Sequence, residues 1–332
     1  MRKKIRHLEI DFLRALSILA VIFIHTSAYF LSKKNVFLIW DFCQFAVVAF
    51  VFCSSYVFFQ RERLLNLKSF FAFLKKRLLR LFVPYWTFLI VMLGLITIKE
   101  PNKINFAFVL KNIFAIGGID INWLVLLFVL FSVLFPIISF LKYKKPWFFY
   151  LYGLLALGSS VALLFYRPSF DYRLIMWLPW SVVALFSWYY VKHRKHSLFL
   201  LLTISASLLL FFSLVLILTA THHSLAQFDN KYPPNFYHLV YGIFWIVLLS
   251  FILKAKFFLF SPIKVSLSFL SRKSYSLFFI HRLVIYVLTV FYKISFTWIS
   301  FFVCVLIITI IIQLILTFAG YLFSTAKRGP TI

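Results

Sequence analysis

Ten apolar runs dominate this chain, at about residues 10–31, 38–59, 82–98, 121–141, 147–166, 175–191, 198–220, 237–254, 274–293 and 297–323. A helix needs roughly 20 apolar residues to cross the ~30 Å hydrocarbon core of a bilayer. In lipid the backbone must satisfy its own hydrogen bonds, so runs of this kind fold as helices. The chain has 332 residues, 64% of them hydrophobic, whereas soluble domains are about half apolar. The predicted fold is therefore all-α, a polytopic integral membrane protein, with residues 1–332 as a single domain. About nine residues follow the last run, which leaves no room there for an appended soluble domain. The first run is too long for a removable signal peptide, contains Asp11 and Arg14, and lacks a small-residue cleavage site.

A net charge of +27 invites a nucleic-acid reading, but the placement of the cations argues against one. Of the 35 Lys and Arg residues, 24 lie in the two tails and the even-numbered loops and nine in the odd-numbered loops; Arg14 and Arg282 fall inside runs. Cytoplasmic loops are enriched in Lys and Arg. The alternation predicts ten crossings with both termini cytoplasmic, and an odd number of spans would break it. Residues 64–80 mix basic and apolar residues at helical spacing, which predicts an amphipathic helix on the inner leaflet leading into Pro84. Residues 103–120 are semi-apolar and end at Gly117-Gly118, as a surface or re-entrant helix would. Cys43, Cys53 and Cys304 lie within apolar runs, with no disulfide or metal spacing.

Ionisable residues inside membrane helices are costly and usually functional. Asp11 and Arg14 are three apart and can pair on one helix face. Arg14 and His25 are eleven apart, so they share a direction and lie about 16 Å apart along the axis. The competing structural reading makes Asp11 and Arg14 interfacial and His25 a packed, hydrogen-bonded histidine. His281 and Arg282 form a second intramembrane pair. Arg77 and Arg80, ahead of Pro84-Tyr85-Trp86, suit phosphate, which guanidinium groups grip in bidentate fashion. Positive-inside bias and attraction to anionic lipid would also produce such a cluster. Asn122-Trp123 opens the fourth run, where Trp is commonly an interfacial anchor. The loop Asp229-Asn-Lys-Tyr-Pro-Pro-Asn235 carries a rigid turn. His193 and His196 lack a carboxylate or cysteine partner nearby, and no phosphate-binding loop, dinucleotide fingerprint or nucleophile elbow is present.

Taken in order, these motifs resemble acyltransferase family 3, the membrane-bound acyltransferases that include O-antigen and peptidoglycan O-acetylases. Arg14 and His25 match its arginine–ten residues–histidine signature, and Phe52-Cys-Ser54-Ser55-Tyr56 is similar to its Phe-x-Ser-Gly-Phe/Tyr segment. Arg77-Leu-Leu-Arg80 with Pro84 resembles its Arg-x-x-Arg segment, and Ser274 to His281 its C-terminal segment. Ser55 replaces the family's glycine, and Asn122 stands where a histidine is frequent. The resemblance covers about residues 10–290.

It implies transfer of a short acyl group, acetyl by expectation, from cytoplasmic acyl-coenzyme A to a hydroxyl of a cell-envelope glycan or lipid-linked sugar. The setting would be a bacterial plasma membrane, with acyl-CoA as co-substrate, no tightly bound cofactor and no metal. Histidine titrates near neutrality and is the commonest general base. His25 is that candidate, oriented or tuned by Arg14 and Asp11, with His281 as a second acid/base or a structural partner. Arg77 and Arg80 are expected to bind the donor, Asn122 and Trp123 the acceptor. The partners are the glycan and the bilayer; no nucleic acid is expected, and the oligomeric state stays open. A polysaccharide exporter or flippase, using the same polar stripe as a pathway, is the rival reading.

Overall fold

The computed structural model describes residues 8–61, 66–253, 261–292 and 296–326. Over these residues the chain is helical: α1 (Leu8–Ser27), α2 (Lys34–Phe42), α3 (Phe45–Phe59), α4 (Leu67–Lys99), α5 (Phe106–Ile113), α6 (Asn122–Lys144), α7 (Pro146–Ala162), α8 (Trp177–His193), α9 (Ser197–Ala220), α10 (Phe236–Ile252), α11 (Ser261–Tyr286) and α12 (Trp298–Ala326). The only extended pairing among them is an isolated bridge between Lys231 and Pro234. Each of the ten apolar runs overlaps a helix. Six helical stretches are long and apolar enough to cross a membrane: Lys34–Phe59, Leu67–Lys99, Asn122–Lys144, Ser197–Ala220, Pro262–Tyr292 and Trp298–Leu322. The basic tails at residues 2–6 and 327–328 lie outside the described residues.

Local chemistry sets where helices begin. Asn66, Asn105 and Asn235 cap α4, α5 and α10 by accepting the backbone N–H three residues on, at 2.8, 2.8 and 3.2 Å. Glu9 and Asp11 sit at the positive end of α1, and His25 at its negative end. One sequence expectation needs revision. The amphipathic helix expected over residues 64–80, leading into Pro84, is not a separate element: from Leu67 it is the first part of α4, which runs unbroken for 33 residues through the proline. Proline removes one intrahelical hydrogen bond, a loss that membrane-type helices absorb locally.

α1 lies at the centre, packed most extensively on α11 and also on α3 and α12. At the other extreme only 17% of the apolar window of α9 is buried, so nearly all of its hydrocarbon faces outward. A patch of that extent is incompatible with water and matches lipid. α10 approaches α3 so closely that a Cβ on Gly242 would lie 2.4 Å from Val48, hence the absence of a side chain there.

Candidate active site

The polar stripe of α1 is divided between two hollows. Its first turns, with Asp11 and Arg14, face a cavity of about 590 Å³. Four further arginines reach this cavity: Arg61, Arg77, Arg80 and Arg272. With five guanidinium groups and one carboxylate on its wall, the cavity has a strong preference for anions. Arg14 donates to the Cys53 carbonyl at 3.3 Å, and Asp11 accepts from the Ser271 hydroxyl at 2.7 Å. The two residues expected to pair along α1 thus both hydrogen-bond to other helices, α3 and α11.

Arg77 is held on three sides. Its Nε donates to Ser132 on α6 at 2.9 Å and one terminal nitrogen donates to Ser54 on α3 at 2.8 Å. Its guanidinium lies over the rings of Phe135 and Phe73, at 5.0 and 5.8 Å. Arg80 is exposed by comparison, its Nε facing the Lys76 carbonyl at 3.5 Å. Ser54 is the serine of the Phe-x-Ser segment, so two separate sequence motifs meet here. Ser55, in the glycine position, turns its hydroxyl back to the Val51 carbonyl at 2.8 Å and is fully buried.

Eleven residues along α1, His25 meets His281 of α11. Their Nδ1 and Nε2 atoms are 2.7 Å apart. The ring planes differ by 6° with centroids 5.0 Å apart, so the rings lie edge to edge in nearly one plane. His281 Nδ1 is 3.0 Å from the Leu277 carbonyl. A carbonyl only accepts, so this nitrogen carries the hydrogen. In neutral His281 the lone pair is then on Nε2, and His25 Nδ1 donates to it. The remaining lone pair of the couple is on His25 Nε2. α1 and α11 run in the same direction, tied at one end by Asp11–Ser271 and at the other by His25–His281.

His25 faces a second, small gap of about 20 Å³, lined also by Trp123, Lys231, Tyr232, Leu124 and Phe278. Leu124 and Phe278 line the arginine cavity as well, so the two hollows adjoin. Trp123 stacks on Trp180 at 6.4 Å and receives Tyr232 edge-on at 4.9 Å. Asn122 points elsewhere. Its amide donates to Asn112 Oδ1 at 2.8 Å and to the Gly117 carbonyl at 2.6 Å, and its oxygen faces the Tyr85 hydroxyl at 3.0 Å. These bonds fasten the loop after α5 to α4 and α6. Gly118 is required in that loop: its φ is +84°, and a Cβ would lie 2.1 Å from the Asn112 amide.

The sequence singles out the loop at residues 229–235 for its turn, but not Lys231 within it as part of the site. In the alternation of charges it registers only as a cation of an outer loop. It is 4% exposed, its Nζ donates to Gln44 at 3.0 Å, and burial pushes its pKa down to about 8. Its neighbours Asn230 and Asn235 hint at an ordered loop, and they do bond each other at 2.5 Å, but nothing in the sequence distinguishes a buried lysine there from a solvated one. Among the described residues no cluster of three or more His, Cys, Asp or Glu is arranged to hold a metal.

Comparison with known proteins identifies the family. A family model described as an acyltransferase domain, that of acyltransferase family 3, matches residues 7–318, nearly the whole chain. No curated protein and no solved structure matches it. With the family's domain spanning the entire helical bundle that builds both hollows, the chain belongs to acyltransferase family 3 and is a membrane acyltransferase.

Proposed function

We propose that the protein moves a short acyl group, acetyl, from acyl-coenzyme A to a hydroxyl of a cell-envelope glycan or lipid-linked sugar. The observation that carries this reading is the adjacency of an arginine-lined cavity and a histidine whose free lone pair faces the next hollow. The phosphates of the donor suit Arg77, Arg80 and Arg14, since guanidinium groups bind phosphate oxygens in pairs. The extended pantetheine arm is of the same order as the ~16 Å separating Arg14 from His25 along α1. Its thioester then arrives beside Leu124 and Phe278, within reach of His25.

His25 Nε2 takes the proton of the acceptor hydroxyl, and the freed oxygen attacks the thioester carbon. His281 is a positioning residue that fixes the tautomer and shares the positive charge that forms. Trp123 lines the gap that the acceptor hydroxyl enters, while Asn122 serves the loop behind it. In this reading the cavity opens to the cytoplasm of a bacterial plasma membrane, with ten spans and both termini inside; the parallel course of α1 and α11, the first and ninth spans, supports that parity. The gap beyond His25 has room for about one water. A sugar could not pass it in this conformation, which favours group transfer over export of the glycan.

The test is release of coenzyme A thiol from acetyl-CoA by purified protein in detergent. General-base catalysis is worth about 10²–10⁴-fold, and His25→Gln should lose that much. Wild-type turnover by His25→Gln would remove the base, and inactive wild type would remove acyl transfer from acetyl-CoA altogether.

A further inference from the structure

Lys231 belongs to the segment between α9 and α10, yet its side chain runs inward. The ammonium has three N–H donors, of which Gln44 takes one. The rings of Trp123 and Tyr232, at 5.5 and 5.1 Å, attract the cation but do not neutralise it. Among the described residues no carboxylate forms an ion pair with it; Asp120 acts on it only from a distance. A pKa of about 8 still leaves the group mostly charged at neutral pH. A buried cation without a counter-ion is unfavourable for stability, and an apolar side chain would be cheaper to bury. The position therefore points to a negative charge that is present only part of the time.

His25 and Lys231 line the same gap, whose volume of about 20 Å³ suits a single oxygen-sized group and excludes a sugar ring or a phosphate. We propose that Lys231 is a catalytic residue that stabilises the oxyanion formed during acyl transfer. This rests on the acyl-transfer reading with His25 as base. His25 Nε2 removes the hydroxyl proton as the acceptor oxygen bonds to the thioester carbon. The carbonyl π electrons move onto its oxygen, which becomes negative beside the Lys231 ammonium. When the carbonyl re-forms, the carbon–sulfur bond breaks and the thiolate of coenzyme A takes the proton back from His25. The products are the ester and free coenzyme A. Lys231 gains and loses no proton; it supplies charge where charge develops, in a site with little water to screen it.

The experiment measures thiol release from acetyl-CoA by the full-length protein in detergent, with water standing in for the acceptor hydroxyl. Removing one oxyanion partner costs about 10²–10³-fold in kcat, and Lys231→Met should show that loss with an unchanged KM for acetyl-CoA and a melting temperature no lower than that of the wild type. Lys231→Ala should regain turnover, saturably, when n-propylamine is added, beyond the thiol that the amine itself releases from acetyl-CoA by aminolysis, which the Lys231→Met protein under the same conditions measures. Turnover of Lys231→Met within about threefold of wild type, or a low rate in both variants that the amine fails to raise, overturns the assignment. If wild type turns over, His25→Gln does not and Lys231→Met does, the lysine's role falls alone. If wild type does not turn over, the acyl-transfer reading falls and takes this role with it.

Discussion

Replacing His281 by leucine removes the acceptor for His25 Nδ1 and keeps the site apolar. The size of the effect follows from what that 2.7 Å bond does at each stage of the reaction. Before proton transfer it joins two neutral imidazoles and contributes about 0.5–1.5 kcal/mol. Once His25 holds the acceptor's proton the bond becomes charge-assisted, worth about 1.5–3 kcal/mol. Only the difference, about 1–2 kcal/mol, accelerates the reaction. It corresponds to about 5- to 30-fold in kcat. His281→Gln can present a carbonyl oxygen to the same N–H and should fall between wild type and leucine. Donor affinity should not change, because His281 is not among the residues lining the arginine cavity. The assay is kcat from thiol release at saturating acetyl-CoA, alongside an equilibrium titration of the donor. A His281→Leu protein with wild-type kcat and an intact melting curve would refute the role argued for the pair.

Arg77→Lys keeps the charge but loses the fork that reaches Ser54 and Ser132, so donor affinity should drop by about tenfold, close to 1.4 kcal/mol, with kcat at saturation little changed. Normal binding of acetyl-CoA by that variant would reduce the arginine cluster to a topological signal. A reporter fused after Ile332 should be active only in the cytoplasm, and its appearance outside the cell would overturn the ten-span assignment.

Helical periodicity made the stripe on α1 legible, and the intramembrane position of His281 marked it out. What periodicity could not supply was a partner. Asp11 meets Ser271 across 260 residues and His25 meets His281 across 256, distances at which only the packed bundle decides who touches whom. The stripe also looked like one constellation. Its members serve two hollows, because an axial separation of about 16 Å exceeds the reach of any side chain. Pro84 was misleading for a local reason: proline disfavours a helix in isolation, but residues 67–99 form one rod in which a single missing bond is a small loss. Asn122 had the right neighbourhood, and its bonds go to a loop whose shape depends on Gly118, a tertiary arrangement that no short motif encodes. Lys231 was hidden because a lysine in a short loop carries the same signal whether it faces solvent or the protein interior.

Leu124 and Phe278 stand on the boundary between the cavity and the gap, each 5% exposed. Over most of a bilayer, insulation against ions comes from ~30 Å of hydrocarbon. Here a cationic cavity of about 590 Å³ and a gap of about 20 Å³ meet at these two side chains. Under the proposed mechanism, the residues past which the thioester reaches the histidine also separate the two hollows from each other. Shaving Leu124 and Phe278 to alanine together should merge the two hollows, and proton flux into vesicles holding that protein is the measurement that shows whether these side chains insulate as well as guide.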